Sequence, residues 1–499
     1  MHTIFKRALS LGVTAAMIFS LVACGSKPAD DASQPDKDTA KQPSYVFTDN
    51  MKVFLSNVDV KFTQQEADYV KLYSKSEMKD GGTVIEIDPT RTYQTIEGFG
   101  AAFTDASTHL LTQMPEDKLN EVMTSLFDPN DGIGISIVRN PIGACDFSLD
   151  YYTYDDMPEG QEDFELAHFD GSRAKNQIEL VKKAMAVNPE LKLLLSPWTA
   201  PPWMKTIYQY EGINSPALRR ECYGVYGKYL AKSIQLYEDE KVPVWAITPQ
   251  NEMFLPAMWA GMVWDWESMA LFVNDYLRPA IDDLGYKTKI LHLDYTWTWV
   301  KEANNMLASS LNTSDGIAWH WYGGKPEVMQ ETYDTFPDKI QLVSESTSTR
   351  PASVSKNLRV TTMITRSLYS GAGGFMLWNL VLLPTGGPAL YPTAYTNTPF
   401  ISYDPETDTM NYEADFYNMA HFSKYMHVGG KKVYSTDTGA DSEYNMVNVA
   451  VLNPNGTMTA VMVNATEDDT LCKLVMGDQV LEVPVGRDST VTVTWDARG

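Results

Sequence analysis

The chain has 499 residues, 44% of them hydrophobic, which is enough apolar mass for a large buried core and two or three domains and excludes a disordered or fibrous protein. Sixty-four acidic residues against forty Lys plus Arg leave a formal charge of −24. No dense basic cluster interrupts that charge, so a nucleic-acid backbone would be repelled and no nucleic-acid partner is expected.

Residues 1–24 carry Lys6 and Arg7, then a short apolar run, then "LVAC" at 21–24, the layout of an export signal. "LVAC" also resembles the bacterial lipobox, whose cysteine is acylated and becomes the new N-terminus. That resemblance implies an exported protein held by a lipid on Cys24 at the outer face of the bacterial cell membrane. No other apolar run approaches the ~20 residues needed to span a bilayer. Residues 25–44, "GSKPADDASQPDKDTAKQPS", have almost no large apolar side chains and read as a disordered tether. The remaining cysteines, Cys145, Cys222 and Cys472, are odd in number and widely spaced, which points to neither a disulfide framework nor a zinc site.

Residues 45–90 read as β, with alternation in "YVFTDNMKVFLSNVDVKF" and in "GGTVIEIDP". Between 91 and 424 the rhythm changes, and short apolar runs alternate with amphipathic stretches such as 171–188 and 226–239. Eight strands are predicted: "IEGFGA" (96), "IGISIVRN" (133), "LKLLLSPW" (191), "VWAITPQNE" (244), "KILHLDY" (289), "GIAWHWY" (316), "KIQLVSES" (339) and "GGFMLWNL" (373). Eight parallel βα units over that length predict an α/β fold, a (β/α)8 TIM barrel. A doubly wound open sheet would compete, but "GFGAAF" is a lone glycine pattern and no nucleotide loop appears. Residues 425–499 return to β, with "NPNG" as a turn between two strands. The two ends are expected to form one β-sandwich, split in sequence around the barrel.

Active sites of such barrels form at the C-terminal ends of the strands. The residues finishing each run are polar or aromatic: Asp105, Arg139, Trp198, Asn251 with Glu252, Asp294, His320 with Tyr322, Glu345 and Trp378. On the sixth strand, period-two geometry sets His320 and Tyr322 on one face and Trp319 and Trp321 on the other. Two carboxylates facing each other across the mouth suit glycoside cleavage, one protonated to assist the leaving oxygen and one ionised to attack or to activate water. Glu252 and Glu345 fit that pair. Most of the twelve Trp lie between 198 and 378, and indole faces stack on sugar C–H faces, although core packing claims several of them.

These residues carry a resemblance. "GFGAAFTDAS", "ACDFSLDYYTY", "SPWTAPPWMK", "TPQNEM", "WHWY", "SES", "WNLVLLPTGGP" and "FYNMAHFSKYM" follow the order and spacing of glycoside hydrolase family 30, which contains glucosylceramidases and β-1,6-glucanases. The resemblance covers about residues 80–495 and implies a retaining mechanism with Glu252 as acid/base and Glu345 as nucleophile. It further implies that Asn251 bonds the sugar 2-hydroxyl, and that Arg139, His320 and Tyr322 hold Glu345 ionised and oriented. Asp146 with Trp198 would read hydroxyls on the far side of the sugar, and Trp378 would form the platform beneath it. Two departures stand out: Met253 replaces the proline of the usual Asn-Glu-Pro motif, and Leu383 and Ala389-Leu390 replace polar or aromatic residues after the eighth strand.

The expected function is a lipid-anchored retaining β-glycosidase acting on a β-glucoside in a carbohydrate or glycoconjugate, with no cofactor and no metal. Within the family, β-xylosides, β-fucosides or β-galactans are the alternative substrates. A non-catalytic carbohydrate-binding lipoprotein would not need both carboxylates. A metal-dependent barrel hydrolase needs clustered His and Asp ligands, whereas of seven His only His320 and His292 fall on candidate strands.

Overall fold

A computed structural model describes residues 45–348, 354–391, 396–439, 442 and 445–497. The leader, Cys24 and the tether lie outside the described residues. Eight parallel strands close into a barrel in sequence order: β1 (Gly98–Ala102), β2 (Ile137–Ile142), β3 (Lys192–Pro197), β4 (Val244–Ile247), β5 (Lys289–Thr296), β6 (Gly316–His320), β7 (Ile340–Glu345) and β8 (Gly374–Asn379). These strands are near-continuous apolar runs because both faces are covered, one by the barrel interior and one by helices.

The interior plug takes one side chain from each of β2 to β8, namely Ile137, Leu194, Ala246, Leu291, Ala318, Leu342 and Met376. β1 contributes glycine instead: a Cβ on Gly100 would stand 1.7 Å from the Ile137 carbonyl oxygen, so any side chain there would push β1 off β2. Helices cover the outside. The expected amphipathic segments form Lys175–Val187, which buries Ile178, Val181 and Ala184, and Tyr223–Asp239, which buries Tyr226, Leu230, Ser233 and Tyr237. That spacing puts one apolar stripe on the barrel wall.

The N-terminal strands between Lys52 and Thr95 pair with C-terminal strands between Lys431 and Asp496 in a ten-stranded sheet. Its long strand Thr83–Thr95 pairs with both Lys431–Ser435 and Thr470–Met476. The sheet thereby folds over a shared core that includes Val53, Ile85, Leu474, Leu481, Val493 and Trp495. This is the split sandwich expected from the two β-rich ends. It docks on barrel helices through Thr361–Thr490 (2.8 Å) and His421–Thr492 (2.8 Å). A three-stranded sheet formed by Val381–Leu382, Ile401–Asp404 and Thr409–Tyr412 follows β8 and was not anticipated.

Candidate active site

The layer above the apolar plug is polar. Two residues beyond the plug positions stand Arg139, Ser196, Thr248, His320, Ser344 and Trp378, which period-two geometry turns toward the same interior. On β5 the step is three residues, from Leu291 to Asp294. Leu293 and Asp294 both take left-handed backbone, φ 72° and 47°, and the pairing of β5 with β6 slips between Ala318 and Trp319. Such a bulge re-aims a side chain, and left-handed backbone at a leucine stores strain that only a well-determined surrounding maintains. Here it turns the Asp294 carboxylate onto Arg139.

The fully buried Arg139 guanidinium donates to Glu345 Oε2 (2.6 Å), Asp294 Oδ2 (2.7 Å) and Asn251 Oδ1 (2.7 Å). Burial pulls its pKa down, but the charges of Asp294 and Glu345 outweigh that and hold it above the usual arginine range. Its carbon centre lies 4.7 Å from the Trp198 ring and 5.3 Å from the Trp378 ring. Glu345, which ends β7, also accepts the Tyr322 hydroxyl at 3.0 Å. Tyr322 is 44% exposed, so its ring forms the rim while its hydroxyl reaches in.

Glu252 lies in the turn after β4, itself left-handed at φ 48°. Its backbone N–H donates to the Asp294 carbonyl at 2.8 Å. Burial pushes its carboxyl pKa up and the Glu345 charge adds to this, while His320 and Arg139 oppose. His320 sits between two carboxylates, Nδ1 3.4 Å from Glu252 Oε1 and Nε2 3.1 Å from Asp294 Oδ1. Burial disfavours its cation, yet the charges and hydrogen bonds of Glu345, Asp294 and Glu252 raise it to about 9. Asp294 goes the other way: burial alone would raise it, but Arg139, His320 and Ser196 hold it far below the usual carboxylate range. Asp146 is raised to about 8 by burial and by the charges of Glu345 and Glu252.

An oxygen of Glu252, an oxygen of Glu345 and a nitrogen of His320 lie within 4.8 Å of one another. Among the described residues this is the one cluster with metal-like convergence. Its chemistry argues against a metal, because Arg139 already occupies Glu345 and both imidazole nitrogens face carboxylates that favour the proton-loaded ring. Over the pair opens a cavity of about 610 Å³. One wall is the Trp198–Trp378 stack, 5.2 Å between centroids and 20° from parallel, with the Trp378 indole N–H 3.4 Å from Asp146 Oδ2. The cavity is also lined by Trp299, stacked on Phe254 at 4.2 Å, and Trp259, edge-on to Tyr391 at 5.8 Å.

Of the residues singled out in the sequence, Asp146, Trp198, Asn251, Glu252, Tyr322, Glu345 and Trp378 all line this cavity. Arg139 and His320 lie behind it, both fully buried. His320 differs from the expectation in its partners: the bulge brings Asp294 under the ring, so its hydrogen bonds go to Asp294 and Glu252, while Glu345 is served by Arg139 and Tyr322. Asp105 is elsewhere, starting helix Asp105–Gln113 and accepting from Tyr152 at 3.0 Å. Sequence reasoning did not single out Ser196, Thr248 and Ser344; each stands two residues past a buried apolar strand position, and that spacing was the available signal. Trp299 and Trp259 had no signal beyond being tryptophans.

Glycosidic bonds are cut between two such carboxyl groups, and a barrel carrying them at its C-terminal mouth within an aromatic-walled cavity defines a glycoside hydrolase. The chain belongs to glycosyl hydrolase family 30, whose TIM-barrel domain matches residues 96–426. It is 28% identical over 417 residues to the lysosomal acid glucosylceramidase of Mus musculus, covering 78% of each chain. It is 31% identical over 409 residues to an endo-1,6-beta-D-glucanase of Aspergillus fumigatus, covering 77% of this chain and 81% of that one. Among solved structures, SrfJ from Salmonella typhimurium superposes with a TM-score of 0.81 at 24% identity, over 89% of this chain and 99% of that one. The endo-beta1,6-glucanase BT3312 gives 0.79 at 24% identity, over 90% and 99%. Both share the fold.

Proposed function

We propose that the chain is a retaining β-glycosidase that hydrolyses β-glucosides of the glucosylceramidase and β-1,6-glucanase type by double displacement. The observation that carries this reading is the approach of a carboxylate oxygen of Glu252 and one of Glu345 to within 4.8 Å of each other. Retaining enzymes hold their carboxyl groups about 5–5.5 Å apart so that one attacks carbon directly, whereas inverting enzymes leave about 6.5–9.5 Å for a water. Glu345, paired with Arg139, attacks the anomeric carbon. Glu252, whose carboxyl is raised by burial, protonates the departing oxygen and then takes a proton from the water that cleaves the glycosyl-enzyme ester. Asn251 has its oxygen committed to Arg139, which leaves its amide N–H as the donor to the sugar 2-hydroxyl. Asp146 meets hydroxyls beside the Trp198–Trp378 wall, and Trp299 and Trp259 face the leaving group. The protein is exported and anchored by lipid on Cys24.

Two variants separate the roles. Glu345→Ala is expected to turn over no substrate. Glu252→Ala is expected to be glycosylated by a dinitrophenyl β-glucoside, stall, and be rescued by azide as a β-glycosyl azide. Azide rescue of Glu345→Ala to a β-azide would reverse the assignment. Strong turnover of nitrophenyl β-xyloside with none of nitrophenyl β-glucoside would move the substrate class to β-xylosides.

A further inference from the structure

Asp294 does not line the cavity, yet its carboxylate gathers donors from β2, β3, β6, β7 and the residue just past β4, and a bulge is spent on delivering it. Oδ2 accepts from Arg139 (2.7 Å), Ser196 (2.6 Å) and Thr248 (2.7 Å), and Oδ1 from Ser344 (2.6 Å) and His320 (3.1 Å). The residue is 0% exposed. Three neutral hydroxyls add no charge that would neutralise the carboxylate, so they serve to keep a full anion soluble inside the barrel. An ion buried at that cost, on a left-handed backbone, is justified by what it touches. It touches Arg139, which holds Glu345, and His320, which holds Glu252; its own carbonyl holds the Glu252 backbone N–H at 2.8 Å.

Resting on the acid and nucleophile roles assigned above, we infer that Asp294 is a positioning residue that sets the charge of the Glu252 side of the pair by fixing His320. With Nε2–H committed to Asp294, the second proton of the ring is aimed from Nδ1 at Glu252. The charged groups around His320 are Asp294, Glu252 and Glu345, and the rings of Tyr295 and Tyr322 flank it at 6.5 and 5.9 Å. Around Asp294 they are Arg139 and His320. Glu252 faces His320, Glu345 and Arg139, and the titratable groups of Asp146, Tyr295 and Tyr322 also feel its charge. Without the Asp294 anion, His320 discharges near neutral pH and Glu252 loses its nearest cation. The acid then holds its proton to higher pH but lacks an oriented partner for giving it up and taking it back.

Asp294→Asn keeps the shape and one acceptor. It is expected to move the alkaline limb of kcat/KM, which reports the acid in the free enzyme, upward by about one pH unit. It is also expected to lower kcat about 10- to 100-fold on poor leaving groups, with KM and dinitrophenyl β-glucoside turnover much less affected. His320→Gln is expected to move the same limb the same way, and the double variant to move it no further than either alone. A uniform loss on all substrates with both pH limbs in place would reduce Asp294 to a structural residue. Should Asp294→Asn fail to fold, the wild type still decides. NMR of His320, assigned through His320→Gln, is expected to show both ring nitrogens protonated through pH 8, and a ring that discharges near 6.5 would overturn the inference. If instead the azide experiment reverses the two glutamates, the Glu252–Glu345 reading fails while the His320 titration stands.

Discussion

Replacing Arg139 by Leu removes the guanidinium that pairs directly with both Asp294 and Glu345, which are 0% and 6% exposed. Breaking a buried pair by deleting one partner costs about 3–5 kcal/mol, because the other charge is left uncompensated; two carboxylates depend on this guanidinium, so about 4 kcal/mol is a fair centre. For the Ser44–Gly499 body, an unfolding entropy of about 2.1 cal/mol/K per residue sums to about 1 kcal/mol/K, giving a Tm loss of about 4 °C. The pH dependence supplies a sharper mark. Asp294 is held below its ordinary value of 3.8 in the folded protein. The stability it contributes is therefore complete above the unfolded value and is lost as pH falls through that value toward the folded one. The gap in Tm between wild type and Arg139→Leu is expected to hold steady from pH 7 down to about pH 5 and to narrow only as pH falls below about 4. Differential scanning calorimetry at matched ionic strength measures it. A variant with wild-type Tm, or with a gap independent of pH, would refute the charge argument.

Trp378→Ala removes half of the stacked wall at 5.2 Å from Trp198 and is expected to cost about 2–3 kcal/mol of kcat/KM, mainly through KM, as buried aromatic anchors do; initial-rate kinetics on nitrophenyl β-glucoside will show whether KM or kcat takes the loss. Asp146 is raised to about 8 and is therefore neutral at pH 7, so Asp146→Asn is expected to retain KM within about threefold at pH 6–7. Above pH 8 the wild-type carboxyl ionises beside Glu345 and its KM is expected to rise while that of the Asn variant does not, which KM–pH profiles will check. Cys24→Ala is expected to transfer the protein from the membrane to the soluble fraction, as followed by fractionation and immunoblot, and equal release of wild type and variant would remove the anchor from the account.

The barrel was legible because parallel strands buried on both faces leave unbroken apolar runs, and the site was legible because function sits where those runs end. "TPQNEM" and "LVSES" each deliver a carboxylate at such an end, and the family resemblance added their order. The strand after Val244 stops at Ile247, so Asn251 and Glu252 ride on a turn whose left-handed step at Glu252 no propensity announces. The partners of His320 were hidden for a related reason. "KILHLDY" places Asp294 at the end of a strand, but only the bulge, formed in tertiary context, turns its carboxylate under the ring. The hydroxyls of Ser196, Thr248 and Ser344 look ordinary in the sequence until β3, β7 and the segment just past β4 close around one anion.

The most direct test of the account is the anomeric form of the first product. Followed by ¹H NMR within the first minutes of hydrolysis of nitrophenyl β-glucoside, before mutarotation mixes the forms, the sugar is expected to appear as the β-anomer, because two inversions at Glu345 and water restore the configuration. First appearance of the α-anomer would mean a single displacement by water, and would contradict the role of Glu345 as nucleophile.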